Sequence, residues 1–142
     1  MKKEIRTVVY DEALQVEAYR FEGIVQPFPN HFHEYYVIRF VEGGERCLTC
    51  RNREYRIGRG MVILFHPGEN HACVQTDDGT LDYRGLNIGR EVMRNLTAEV
   101  TGKRTLPGFS ENVIRDEEVI GCLRPLHDMI MSGSSDLGKE EY

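Results

Sequence analysis

Between residues 6 and 88 the chain is cut into short β-branched and aromatic runs, most of them ended by glycine, proline, asparagine or aspartate. Punctuation this regular leaves no room for long helices and predicts about eight short strands, as in a β-sandwich or small barrel. The runs fall at 6–10, 14–21, 31–41, 45–50, 55–57, 61–65, 71–76 and 81–88. Asp11-Glu12 turns between the first two. Residues 23–30, with Pro27 and Pro29, are expected to be loop, because proline cannot donate into a ladder. Arg51-Asn52-Arg53-Glu54 reads as a hairpin turn, and His66 to Asn70 and Asp77 to Thr80 as further turns.

Beyond Ile88 the period changes. Residues 90–102 and 116–131 carry helical spacing, and Asp116 is placed to cap the second helix, with Glu117 and Glu118 favourable in its first turn. Val119, Ile120, Leu123, Leu126 and Ile130 fall on one stripe, expected to pack on the barrel. Pro125 should kink that helix. The final Asp136-Leu137-Gly138-Lys139-Glu140-Glu141-Tyr142 reads as the first turn of a further helix, so the chain is expected to be a piece of a longer protein. Residues 1–89 are thus expected to form a barrel domain and 90–142 its helical C-terminal extension.

At 142 residues, 40% hydrophobic and 29% charged, the chain has the make-up of a globular domain. Its net charge of -5 argues against a phosphate-binding surface, and neither a recognition helix nor a basic face stands out. DNA, if it is a partner, is reached through other residues. No apolar run spans a membrane, and Met1-Lys2-Lys3-Glu4 leads into alternating residues instead of a signal peptide, so a cytoplasmic address is expected. Of the four cysteines only Cys47 and Cys50 are close, half of a zinc pattern at best. With Cys73 and Cys122 they are expected to be reduced, mostly buried side chains. No strained nucleophile turn surrounds Ser110, Ser132, Ser134 or Ser135, and Gly58-x-Gly60 lacks the helix and third glycine of a phosphate cradle.

His31-Phe32-His33 would place two imidazoles on one face of a strand. It is followed by Gly44, by Gly60, and by Gly68-Glu69-Asn70-His71. In this the chain resembles the cupin superfamily, in the form found as the N-terminal, arabinose-binding-type sensing domain of AraC-family transcriptional regulators. His31, His33 and Gly44 match the first half of the cupin pattern; Gly60, Gly68 and His71 match the second. The stretch Gly60-Met-Val-Ile-Leu-Phe-His-Pro-Gly-Glu-Asn-His71 is especially similar to AraC-type sensors. The resemblance implies a mainly β fold: a cupin-like double-stranded β-helix or jelly-roll barrel followed by C-terminal α-helices packed on its outside. It departs from the pattern at Val37 and Ile38, which stand where the metal-binding Glu belongs. Pro67 lies one place late, with His66 in its slot, and Gln75 occupies the later Asn position.

Three imidazoles, His31, His33 and His71, could hold Zn²⁺, Ni²⁺ or Fe²⁺ with open positions. Oxygen chemistry at iron usually wants a carboxylate as well, and parity turns Glu34 away from His33. The other reading makes these histidines polar lining groups that bind a ligand or one another. By the same parity Tyr35 and Arg39 share the barrel face of His31 and His33, and Cys73 and Gln75 share that of His71. Arg39 is expected either to recognise a carboxylate or sugar hydroxyls, or to pair internally with a glutamate such as Glu45. Phe32, Tyr36, Ile38 and Phe40 line the opposite face, which the helices after residue 90 are expected to cover.

Three functions follow. The preferred one is a non-enzymatic effector-binding and dimerisation domain of an AraC-type regulator, expected to be a homodimer whose helix-turn-helix domain lies outside these residues. The alternatives are a small metallocupin enzyme of the dioxygenase or isomerase class, disfavoured by the lost Glu, and a cupin that binds a sugar or peptide.

Overall fold

The computed structural model describes residues 4–25, 28–31, 33–75, 79–102 and 112–133, of which 28–31, 73–75 and 99–101 are described by backbone alone. Its strands are β1 (Ile5–Asp11), β2 (Val16–Ile24), β3 (Phe28–His31), β4 (Tyr36–Gly43), β5 (Glu45–Cys50), β6 (Arg53–Gly58), β7 (Met61–Phe65), β8 (His71–Gln75), β9 (Leu81–Ile88) and β10 (Val113–Arg115). The helices are α1 (Arg90–Thr101) and α2 (Glu117–Met131). Two antiparallel sheets result, one of order β1-β2-β9-β4-β7-β10 and one of order β3-β8-β5-β6.

Side-chain alternation explains how the sheets close. On β4, Val37 and Val41 join Leu48, Cys50 and Ile57 of the smaller sheet in a core between the two sheets. Tyr36, Ile38 and Phe40 face the other way, under the helices. Val92 and Met93 of α1 and the Ile120, Leu123, Leu126, Ile130 stripe of α2 cover that face, as their spacing requires. Arg46 ties the sheets together, donating from Nη2 to the Ile24 carbonyl at 2.6 Å and from Nη1 to that of Val25 at 3.3 Å.

Asp116 caps α2 by accepting from the Glu118 and Val119 N–H groups at 3.0 and 3.1 Å. Pro125 stands within the helix, which continues to Met131. His127 is fully buried against the barrel and donates from Nε2 to the Tyr19 carbonyl at 2.7 Å. Burial holds its imidazole below the usual value, so it stays neutral and serves as a packed donor.

Four local expectations need correction. Residues 28–31, inside the expected loop, form β3; Pro29 is tolerated because β3 is an edge strand whose register shifts between Phe28 and His31. The strand expected at 31–41 is two pieces, since β3 ends at His31 and β4 begins at Tyr36. The parity argument linking His31, His33 and Tyr35 therefore fails, because strand alternation does not run through residues 33–35. A short β10 within the expected helical extension returns to pair with β7. Cys122 is exposed and Cys47 half-buried, leaving Cys50 as the buried thiol among the described residues. Phe32, residues 76–78 and the helix expected at 136–142 lie outside the described residues. No described helix is long and apolar enough to cross a membrane.

Candidate functional site

Strands β2, β9 and β4 lie side by side, and their register builds polar rows across the inner wall of the barrel. Tyr19 pairs with Gly85, which pairs with Arg39; one step along, Glu17 pairs with Asn87, which pairs with Val37. Tyr19 and Val37 belong to the core between the sheets, so parity turns Glu17, Asn87 and Arg39 to the same inner side. Gly85 makes the first row possible. A methyl group there would overlap the Tyr19 ring, which lies across the glycine to reach Arg39. Arg39 donates from Nε to the Tyr19 hydroxyl at 2.7 Å, and the Asn87 amide donates to Glu17 Oε1 at 2.7 Å.

The Arg39 guanidinium sits in an aromatic cage, with its carbon 5.6, 5.8 and 5.1 Å from the ring centres of Tyr19, Phe65 and Tyr83. Glu45, its expected partner, is on the surface and pairs with Arg56 at 3.4 Å. The Arg39 guanidinium thus meets the Tyr19 hydroxyl and the three rings.

The same cage leads to the histidines. The His71 ring lies flat on Phe65, 3.7 Å between centres and 8° between planes, and its Nδ1 is 3.3 Å from the Glu69 carbonyl. His33 lies 5.3 Å from His71 and stacks on Tyr35 at 5.0 Å. Tyr35, His33, His71, Phe65 and Arg39 therefore form one continuous run of ring contacts. His31 is opposite His71 in the β3–β8 register, but its side chain, like those of Cys73 and Gln75, lies outside the described residues.

Among the described residues no group of three His, Cys, Asp or Glu side chains is gathered closely enough to hold a metal. Glu34 is exposed and faces Arg90 at 3.6 Å. The described donors at this point are two imidazoles, one of them packed flat on a phenyl ring.

A cavity of about 520 Å³ opens between the rim of the larger sheet and the start of α1, lined by Tyr10, Glu17, Glu34, Tyr35, Asn87 and Arg90 among others. Burial pushes the Tyr35 hydroxyl up, the charges of Glu17 and Tyr19 add to this, and Arg39 opposes it. Burial likewise pushes the Tyr19 hydroxyl up against the pull of Arg39. Sequence reasoning missed Glu17, Tyr19, Gly85 and Asn87. The signal for the first two was present, since period two in Leu14 to Phe21 places Glu17 with Tyr19 and Phe21.

Residues 14–142 match the model of the AraC-like ligand binding domain. The chain belongs to that family. This AraC-like domain is 46% identical over 141 residues to YbfI of Bacillus subtilis strain 168, an uncharacterized HTH-type transcriptional regulator. The match takes in 99% of this chain and 51% of YbfI, so the domain spans about half the length of that relative. Among solved structures it is similar to an RmlC-like cupin of double-stranded β-helix fold from Methanocaldococcus jannaschii, with TM-score 0.53 and 15% identity over 63% of this chain and 83% of that one. It is also similar to the DMSP lyase DddQ of Ruegeria pomeroyi, with TM-score 0.52 and 21% identity over 61% of this chain and 47% of that one. At these identities the likeness establishes the fold alone: a mainly β, cupin-like barrel, here with two C-terminal helices.

Proposed function

We propose that this domain is the effector-sensing half of an AraC-type transcription regulator and is not itself an enzyme. The observation that carries the reading is Arg39, a cation held by Tyr19 inside an aromatic cage next to a cavity at the barrel mouth. The family match and the regulator YbfI support it. In this reading a small polar effector, sugar-like or carboxylate-bearing, enters the mouth and meets His33, Tyr35, Arg39 and His71, with His31, Cys73 and Gln75 on the neighbouring backbone. The barrel of residues 1–89 senses, and the extension of residues 90–142 conveys the change. Two copies pair in the cytoplasm, and DNA is read by a helix-turn-helix domain outside these residues. Such coupling requires that the effector prefer one arrangement of the domain over another.

In the full-length regulator, Arg39→Ala is expected to weaken inducer binding about tenfold or more while dimerisation is kept. His33→Ala should act in the same direction with a smaller loss. Calorimetry that finds the same inducer affinity in both variants and the parent would remove this pocket from the mechanism. Metal analysis of the untagged protein is expected to give well under one equivalent. A stoichiometric metal lost on replacing His31, His33 or His71 would instead favour a metallocupin enzyme.

A further inference from the structure

The polar row that carries Glu17 runs out to the edge of the larger sheet. Tyr10 of β1 pairs with Glu17 of β2, which pairs in turn with Asn87 of β9. Directly opposed residues on antiparallel strands hold their Cβ atoms about 4.5–5.5 Å apart on one face. A phenol, a carboxylate and an amide therefore stand side by side. All three line the cavity at the barrel mouth, and Tyr35 lines it with them. Burial and then the charge of Glu17 push the Tyr35 hydroxyl up, so the field of the carboxylate is felt at that second phenol.

The other acids of the cavity have cationic neighbours. Glu34 faces Arg90 at 3.6 Å, and Glu91 pairs with Arg94 one turn along α1. Glu17 is different: among the described residues it is met by a neutral donor, the Asn87 amide, which reaches Oε1 at 2.7 Å. That bond serves one oxygen and cancels no charge. A half-buried carboxylate in this state gains from a charge-assisted hydrogen bond, and the two phenol rings beside it favour a cation over an anion. At about 520 Å³ the cavity holds far more than a bare ion.

From this arrangement we infer that the cavity is the seat of a primary ammonium group with Glu17 as its counter-ion, and that the effector is a small amine of about the size of a monosaccharide. The inference rests on the sensing role proposed above and narrows its ligand class. Glu17 then sets specificity, since Tyr10, Tyr35 and Asn87 would receive the corresponding alcohol as readily.

Isothermal titration calorimetry on the 142-residue chain tests this with two matched pairs, cyclohexylamine against cyclohexanol and D-glucosamine against D-glucose. Cyclohexanecarboxylate supplies the anionic counterpart. At least one amine is expected to bind about tenfold or more tightly than its alcohol, and the carboxylate more weakly than that amine. Glu17→Gln keeps the shape and the bond from Asn87 but not the charge. It should bring the amine down to the level of its alcohol and leave the alcohol unchanged. Glu17→Asp, which keeps the charge, should retain most of the preference. The inference is overturned if neither amine outbinds its alcohol, or if the preference survives Glu17→Gln. D-glucose or the carboxylate binding most tightly overturns it too, yet leaves the sensing role standing, because that role rests on Arg39 and not on Glu17. An inducer affinity indifferent to Arg39→Ala would remove the sensing role, and with it the amine as effector.

Discussion

Phe65→Ala should cost about 3–5 kcal/mol of folding stability, a large part of the roughly 5–15 kcal/mol that holds a typical domain together. Phe65 is 1% exposed and sits in the core between the two sheets, where it meets residues from both. Removing its ring deletes the apolar transfer term and leaves a cavity that two hydrogen-bonded sheets cannot easily close. The loss reaches the site as well. His71 packs flat on one side of Phe65, and the Arg39 guanidinium lies 5.8 Å from the ring centre. Phe65→Leu, nearer in volume, should cost about 1 kcal/mol or somewhat more and still disturb His71. Urea unfolding of the three proteins measures this. A loss below about 1 kcal/mol for the alanine variant would show that the barrel does not depend on this plug.

Glu69→Ala is expected to lower stability by about 2–3 kcal/mol, for a different physical reason. Glu69 joins three segments that are distant in sequence. Its Oε1 accepts from the Asn112 amide at 2.7 Å and from the His66 backbone N–H at 3.3 Å; its Oε2 takes Arg51 Nε at 2.6 Å. Asn112 in turn exchanges two hydrogen bonds with the backbone of Leu64, which anchors the chain as it enters β10. Loss of the carboxylate strands several donors at once. Burial also pushes the Cys50 thiol, helped by the charge of Glu69, up to about 12, so it remains a protonated donor beside Glu69.

Burial acts to raise the Glu69 carboxyl, but the bonds from His66 and Asn112 outweigh it and hold it below its ordinary value of 4.5. The stabilisation linked to its ionisation is therefore complete above about pH 4.5 and is lost as the pH falls through the lower folded-state value. Thermal unfolding between about pH 3 and 6 should show this acid limb in the parent. Glu69→Gln should flatten it. An acid limb of equal depth in the variant would assign the effect to other carboxylates.

Most strands were legible because their signal is local. The period-two runs at 45–50, 61–65 and 81–88 reappear as β5, β7 and β9, and Asp116 caps α2 where its side chain reaches two orphan N–H groups. The covering of Tyr36, Ile38 and Phe40 by the helices was likewise written in the alternation of β4. Pro29 misled because the rule it invokes applies to ladders paired on both sides, and β3 is an edge with an irregular register. β10 gave no signal, since three residues pair only because the edge of β7 is open to receive them.

The site divides along the same line. Residue types put His33, Tyr35, Arg39 and His71 forward together, but alternation speaks for Arg39 alone of the first three, since His33 and Tyr35 precede β4. Which side chain it then meets depends on strand order. Arg39 bonds Tyr19 from 20 residues away, Glu17 bonds Asn87 from 70, and Glu69 bonds Asn112 from 43. Those pairings exist because β9 runs between β2 and β4 and because Gly85 leaves room for a ring. No periodicity within a single segment encodes a neighbour brought in from another.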